Sequence, residues 1–282
     1  MTQAHRAVEV GVGGIGTTSA RRRTTIALLV ALASILPTRA ASAQDEPKPE
    51  DVLIGGDAQQ RYLLHGPGAD AKPPRDGWRL LIVLPGGDGS AEFAPFVGRI
   101  RENALDGDWL IAQIVAPKWS EDQTIVWPTR RSPTPGMEFG CEELFAAVVK
   151  DVAAKRELDP RYLFTLAWSS SGMLAYGLGL DPESGVTGSF VAMSVYRPDE
   201  LPSLKRAKGE RFYILHSPDD RVCPLRMAEQ ARDELGEAGA IVEYATYAGG
   251  HGWQGDVYGN LRTGLAWLEK QAEKAKLRKR SK

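Results

Sequence analysis

Short apolar runs alternate with amphipathic stretches along most of this 282-residue chain. Residues 79–84 (RLLIVL) and 110–115 (LIAQIV) are continuous apolar runs, the pattern of strands covered on both faces. Further strands are predicted at 61–64, 162–167, 189–194, 212–215 and 241–247. Helical spacing falls between them, at 93–103, from 173 onward, at 225–235 and at 258–275. The clearest helix is 141–156, where Leu144, Phe145, Val148, Val149 and Val152 share one side. Strands alternating with helices predict βαβ units and a mainly parallel sheet with helices on both faces, in a single domain. One stretch breaks the alternation. Residues 116–140 are rich in Pro, Trp and Arg, and an irregular loop that long is often functional.

The first forty residues follow a different pattern. Arg21, Arg22 and Arg23 precede an apolar, uncharged run at 26–36, and Ala41, Ser42 and Ala43 supply small residues in the A-x-A order. That combination predicts a secretory signal peptide over 1–43. The apolar run is short for a membrane span, so no stable membrane insertion is expected after cleavage. The expected location is the periplasm or the exterior. Residues 44–60 read as linker and start of domain, 61–270 as the folded domain, and 271–282 as a basic tail.

Charge excludes one partner class. The predicted leader carries five of the 35 basic residues and one of the 36 acidic ones, so the remaining chain has a net charge of about −5. Nucleic-acid binding usually calls for a basic face, and no nucleic-acid partner is expected. The chain has two cysteines, Cys141 and Cys223. Two are too few for a disulfide framework or a zinc-ligand set, and spacing alone does not decide whether they pair.

A parallel sheet places its ligand site beyond the carboxyl ends of its strands. After 79–84 comes Pro85-Gly86-Gly87-Asp88-Gly89-Ser90, and after 162–167 comes Trp168-Ser169-Ser170-Ser171-Gly172. His216-Ser217-Pro218-Asp219-Asp220 follows 212–215, and Ala248-Gly249-Gly250-His251-Gly252-Trp253 closes the strand at 241–247. A glycine loop, a serine, an aspartate and a histidine thus share one rim, in the order Ser, Asp, His. Each feature alone has an ordinary reading: glycines mark turns, serines cap helices, and a lone histidine is usually structural. Their coincidence at successive strand ends carries the argument.

With those contexts the chain resembles the α/β-hydrolase superfamily. It looks closest to exported esterases around the dienelactone-hydrolase, phospholipase/carboxylesterase and polyhydroxybutyrate-depolymerase/feruloyl-esterase groups. LHSPDDRVCP resembles the segment that carries their acid, and YAGGHGW their histidine loop. The turn at Ser169 resembles the nucleophile elbow, usually G-x-S-x-G, with Ala167 and Ser171 at the two glycine positions. The resemblance implies a triad of Ser169, Asp220 and His251, and an oxyanion hole from the backbone N–H groups of Ser170 and Gly87. Ala167 and Ser171 read as small tolerated variants. Ser170 with Gly172 is a second register for the nucleophile, and Asp219 is the alternative acid. His216 and His65 are assigned no chemistry.

The implied activity is hydrolysis of a carboxylic ester through an acyl-enzyme on Ser169, with no metal or organic cofactor. The expected partner is a small-molecule ester or an acylated saccharide. A peptidase or amidase on the same triad, or a non-catalytic binding module that kept the fold, are the competing readings. Trp119, Trp127, Trp168 and Trp253 fall near the expected rim and are candidates to line a substrate pocket.

Overall fold

The computed structural model describes residues 48–280, with side chains to residue 275. The predicted signal peptide lies outside the described residues. Eight strands form one sheet in the order β1-β2-β4-β3-β5-β6-β7-β8. The strands are β1 (Glu50–Leu53), β2 (Arg61–His65), β3 (Trp78–Leu84), β4 (Trp109–Ile114), β5 (Leu158–Trp168), β6 (Gly188–Ala192), β7 (Arg211–His216) and β8 (Ile241–Thr246). β1 and β2 are antiparallel to their neighbours, and every pairing from β4 to β8 is parallel.

Five α-helices cover the sheet: α1 (Ala94–Ala104), α2 (Cys141–Lys155), α3 (Gly172–Gly179), α4 (Leu225–Glu237) and α5 (Val257–Arg280). Side chains on a strand alternate between faces, and β3 shows the consequence. Leu80, Ile82 and Leu84 pack with Leu144, Phe145 and Leu174, on the side of α2, α3 and α4. Leu81 and Val83 pack with Val97, Ile100, Leu261 and Leu265, on the side of α1 and α5. Two cores back to back explain why the central strands read as continuous apolar runs.

Register levels the strand ends. Leu84 pairs with Ala167, Ala167 with Val191, Val191 with Ile214, and Ile214 with Tyr244. The segments that follow β3, β5, β7 and β8 therefore emerge from one edge at nearly one height.

Some boundaries differ from the sequence expectation. β1 lies inside 44–60, read as linker and start of domain without a strand; only Val52 of its four residues is buried, too little apolar pattern to read as a strand. β6 ends at Ala192 instead of continuing to Ser194, because Met193 has a φ of +41° and turns the chain out of the sheet. α5 runs on to Arg280, so most of the predicted basic tail is helix. Ala, Lys, Leu and Arg are strong helix formers, and nothing in KAKLRKR stops the helix.

Candidate active site

Ser169 sits where β5 meets α3. Trp168 is still extended, with φ −145°, and Ser169 turns sharply at φ +56°. A non-glycine residue there is strained and persists only where its surroundings over-determine it. Two contacts do so. The Ser194 hydroxyl donates to the Ser169 carbonyl at 2.6 Å. The Gly172 backbone packs so close to Ser194 and Val191 that no Cβ could be accommodated there.

Ser171 is more than a small residue at a glycine position. Its buried hydroxyl accepts the Trp168 N–H at 3.0 Å and donates to the Leu84 carbonyl at 2.6 Å, with the Trp168 carbonyl also at 3.0 Å. It ties the elbow to the end of β3, where the glycine loop begins. Next along the chain, the Ser170 hydroxyl donates to the Gly87 carbonyl at 2.9 Å. Ser170, the second register, and Ser171 thus latch one loop to the other.

The glycine loop is a tight turn in which the Gly89 N–H donates to the Gly86 carbonyl at 3.0 Å and Gly87 holds a φ of +60°. Gly87 supplies the positive φ that the turn requires. Gly86 has a packing reason: a Cβ there would meet the Trp168 indole at 2.5 Å.

Ser169 Oγ lies 3.0 Å from His251 Nε2, and His251 Nδ1 lies 2.8 Å from Asp220 Oδ2. The structure brings these three together and leaves Asp219 out, since Asp219 interacts through its backbone, its N–H donating to Ser217 Oγ at 3.2 Å. The second Asp220 oxygen accepts the N–H groups of Val222 and Cys223, both at 2.8 Å. Burial raises the Asp220 carboxyl, but hydrogen bonds from His251, Cys223 and Val222 outweigh it and hold the group below its ordinary value. Ser217 joins the acid loop to the histidine loop, its Oγ also accepting the Gly250 N–H at 3.0 Å. His216 is buried and meets the Cys223 carbonyl through Nε2 at 2.8 Å, a structural role.

One group of three side chains among the described residues has metal-ligand spacing: Asp220, Cys223 and His251, with a ligand atom each within 4.8 Å of the others. Burial, and then the Asp220 carboxylate, push the Cys223 thiol up to about 11, so at neutral pH it is a protonated, poor ligand. The Asp220 oxygens are already occupied by His251 and two backbone N–H groups. This donor set suits a proton relay better than an ion. Cys141 and Cys223 are both free and buried.

A cavity of about 650 Å³ opens beside Ser169 and Ser170. It reaches along α3 and under the irregular segment after β4, which contributes Val126, Trp127 and Arg131. Of the four candidate tryptophans only Trp127 lines it, and the Trp127 Nε1 also donates to the Pro85 carbonyl at 3.1 Å. The other three are placed elsewhere by packing. Trp168 points to the opposite face of the sheet, with ring centroids 5.6 Å from Phe93, 5.8 Å from Phe96 and 5.7 Å from Trp253. Trp119 stacks edge-on against Phe139 at 4.7 Å. Ser194, Ser217 and the hydroxyl role of Ser171 were not read from the sequence. The run of three serines after β5 was the only local signal.

No protein-family model matches the chain, and no curated protein does. Solved structures do. Thermogutta terrifontis esterase 2, in a form phosphoramylated by tabun, matches with a TM-score of 0.58 at 15% identity, over 80% of this chain and 96% of that one. An α/β-hydrolase enzyme from a Medee basin deep-sea metagenome library gives 0.57 at 13% identity, over 80% and 98%. A thermostable esterase gives 0.55 at 18% identity, over 74% of this chain and 58% of that one. Identities this low speak to architecture, and together with the sheet order and the strand-end geometry they establish that this chain has the α/β-hydrolase fold.

Proposed function

We propose that the protein is an exported serine hydrolase that cleaves small carboxylic esters, acylated saccharides among them. The observation that carries the reading is the continuous relay from Ser169 Oγ through His251 to Asp220, at 3.0 and 2.8 Å, on a serine held at positive φ beside a cavity. A serine hydroxyl is a weak nucleophile until a base takes its proton. In this reading Oγ bonds to the ester carbonyl carbon while His251 Nε2 takes the hydroxyl proton. Asp220 holds the Nδ1–H and stabilises the imidazolium that forms. The backbone N–H groups of Ser170 and Gly87 receive the oxyanion. Collapse breaks the bond to the alcohol, which leaves with the proton from His251. Water then adds to the acyl-enzyme by the same route and releases the acid and free Ser169.

Support also comes from outside the chain. Thermogutta terrifontis esterase 2 has been solved phosphonylated by sarin and phosphorylated by paraoxon. Export rests on the arginine cluster, apolar run and A-x-A residues of 1–43. A fluorophosphonate probe tests the nucleophile directly. Labelling is expected on the intact protein at Ser169, with loss of p-nitrophenyl ester hydrolysis. An unlabelled protein, or label on Ser170 in place of Ser169, would sink the assignment.

A further inference from the structure

Helix α3 has eight residues and three of them are glycines, an unfavourable composition for a helix. Two have a packing reason. Gly172 faces Ser194, and a Cβ at Gly179 would meet Phe212 at 2.7 Å and Ser189 Oγ at 2.8 Å. Gly177 has none of this kind. A Cβ there would touch only Pro202, at 4.0 Å, and would otherwise project into open space. That space is the cavity.

The cavity follows one face of the helix. Ser170, Met173, Leu174, Gly177, Leu178 and Asp181 all line it, at the i, i+3, i+4, i+7, i+8, i+11 spacing of a single stripe. It begins at Ser169 and ends where Arg206 and Asp181 approach to 3.9 Å. The floor between is apolar. Val195, Leu201 and Pro202 continue that surface across from α3, and Arg131, Arg197 and Glu200 stand at the polar rim. The apolar part of the cavity runs from Ser169 to Gly177, about 12 Å at helical rise and the length of an extended chain of roughly ten carbons; beyond it the end is polar, formed by Asp181 and Arg206.

We propose that this groove holds the long aliphatic chain of an ester, laid along α3, and that Gly177 sets how much of the chain is accepted. The proposal rests on Ser169 being the nucleophile. It adds a substrate class, medium-chain aliphatic esters, and a specificity-determining residue. Glycine at 177 keeps the distal half of the groove open, and any side chain there fills it. Each methylene that enters an apolar groove in the transition state adds a factor of about four to kcat/KM. The gain stops where the groove ends.

The test is a chain-length series on the purified protein and on Gly177→Leu, below the critical micelle concentrations. One series is p-nitrophenyl alkanoates from butyrate to dodecanoate, with the chain on the acyl side. The other is n-alkyl acetates, with the chain on the alcohol side. In one series the wild type is expected to gain kcat/KM steadily to roughly ten carbons. In Gly177→Leu the rise should stop about four carbons earlier, and the decanoyl-to-butyryl ratio, or its alkyl counterpart, should fall at least tenfold. Gly177→Ala should give a smaller fall in the same direction and serves if the leucine variant does not fold. Parallel curves for wild type and variants in both series would overturn the proposal, as would a wild-type optimum at four carbons or fewer. If fluorophosphonate labels Ser169 but the curves are parallel, the groove assignment fails alone. If nothing labels and no ester turns over, both readings fall.

Discussion

The two flanks of Ser169 are built from similar residues and end up as opposites. On the side of α1 and α5, Trp168 packs with the half-buried rings of Phe93, Phe96 and Trp253. On the side of α3, Trp127 stands at the wall of a 650 Å³ cavity, opposite a helix stripe interrupted by Gly177. On the first flank aromatic side chains occupy the space behind the turn at Ser169, with Trp168 buried among them. The second is left open as the cavity beside Ser169 and Ser170. The half-buried Ser169 at positive φ depends on its surroundings, because strain is held only if the neighbouring packing does not give way.

Removing the group on which both flanks converge should have the largest effect. Ser169→Ala is expected to lower kcat by about 10⁶, with an unchanged melting temperature. Ser170→Ala should lose far less, because its expected catalytic group is a backbone N–H. Steady-state kinetics with p-nitrophenyl butyrate, beside thermal unfolding, read both effects; an active Ser169→Ala with a dead Ser170→Ala would move the nucleophile by one residue.

The second prediction sets one tryptophan against the other. Trp168 is 4% exposed, and Trp168→Ala should cost about 3–5 kcal/mol of stability by emptying the aromatic cluster. Trp127 is as deeply buried as Trp168 and also lines the cavity, so Trp127→Ala should cost stability too and in addition change the ranking of esters by chain length, with individual kcat/KM ratios moving about tenfold or more. Trp127→Phe separates the two jobs of that residue, keeping an aromatic wall while removing the bond to the Pro85 carbonyl. If Trp127→Ala depresses every ester equally, or Trp168→Ala shifts the ranking by chain length as much, the contrast between the flanks disappears.

A smaller effect is expected at the seam. Ser171→Ala leaves the Trp168 N–H and the Leu84 carbonyl without their buried partner and should cost about 1–3 kcal/mol. Ser171→Gly, which would restore the common elbow pattern, should destabilise as well. Chemical denaturation measures this, and an unchanged midpoint for both variants would reduce Ser171 to a space-filling role.

The smallest effect is at low pH. The Asp220 carboxyl titrates below its ordinary value in the folded chain, so its contribution to stability is complete above the unfolded value of about 3.9. That contribution is lost as pH falls through the lower folded value. The gap in melting temperature between wild type and Asp220→Asn should therefore be widest near neutrality and narrow below about pH 4. A gap that stays constant down to pH 2 would mean that the Asp220 bonds do not depend on its charge.

Read from the sequence, the alternation of apolar runs and amphipathic stretches located every strand from β2 to β8 and all five α-helices. Buried parallel strands announce themselves by being apolar on both faces. β1 escaped because a four-residue edge strand with one buried side chain carries almost no pattern. Ser169, Asp220 and His251 were legible because their chemistry is concentrated at strand ends, where chain order and position can be counted. The serine triplet was visible but its division of labour was not, since hydroxyl partners such as Leu84 and Gly87 lie more than eighty residues away.

The sequence by itself determined the strand and helix order, the parallel sheet and the rim on which Ser169, Asp220 and His251 stand, because periodicity and strand ends are local properties. Only the tertiary structure decided that both Trp127 and Trp168 are buried and that Trp127 alone of the four candidates reaches the cavity. The same holds for why Gly172 and Gly177, five residues apart on one helix, have opposite reasons to lack a side chain. Those outcomes depend on what packs across the sheet and how closely, a distance between segments remote in the chain that no local pattern encodes.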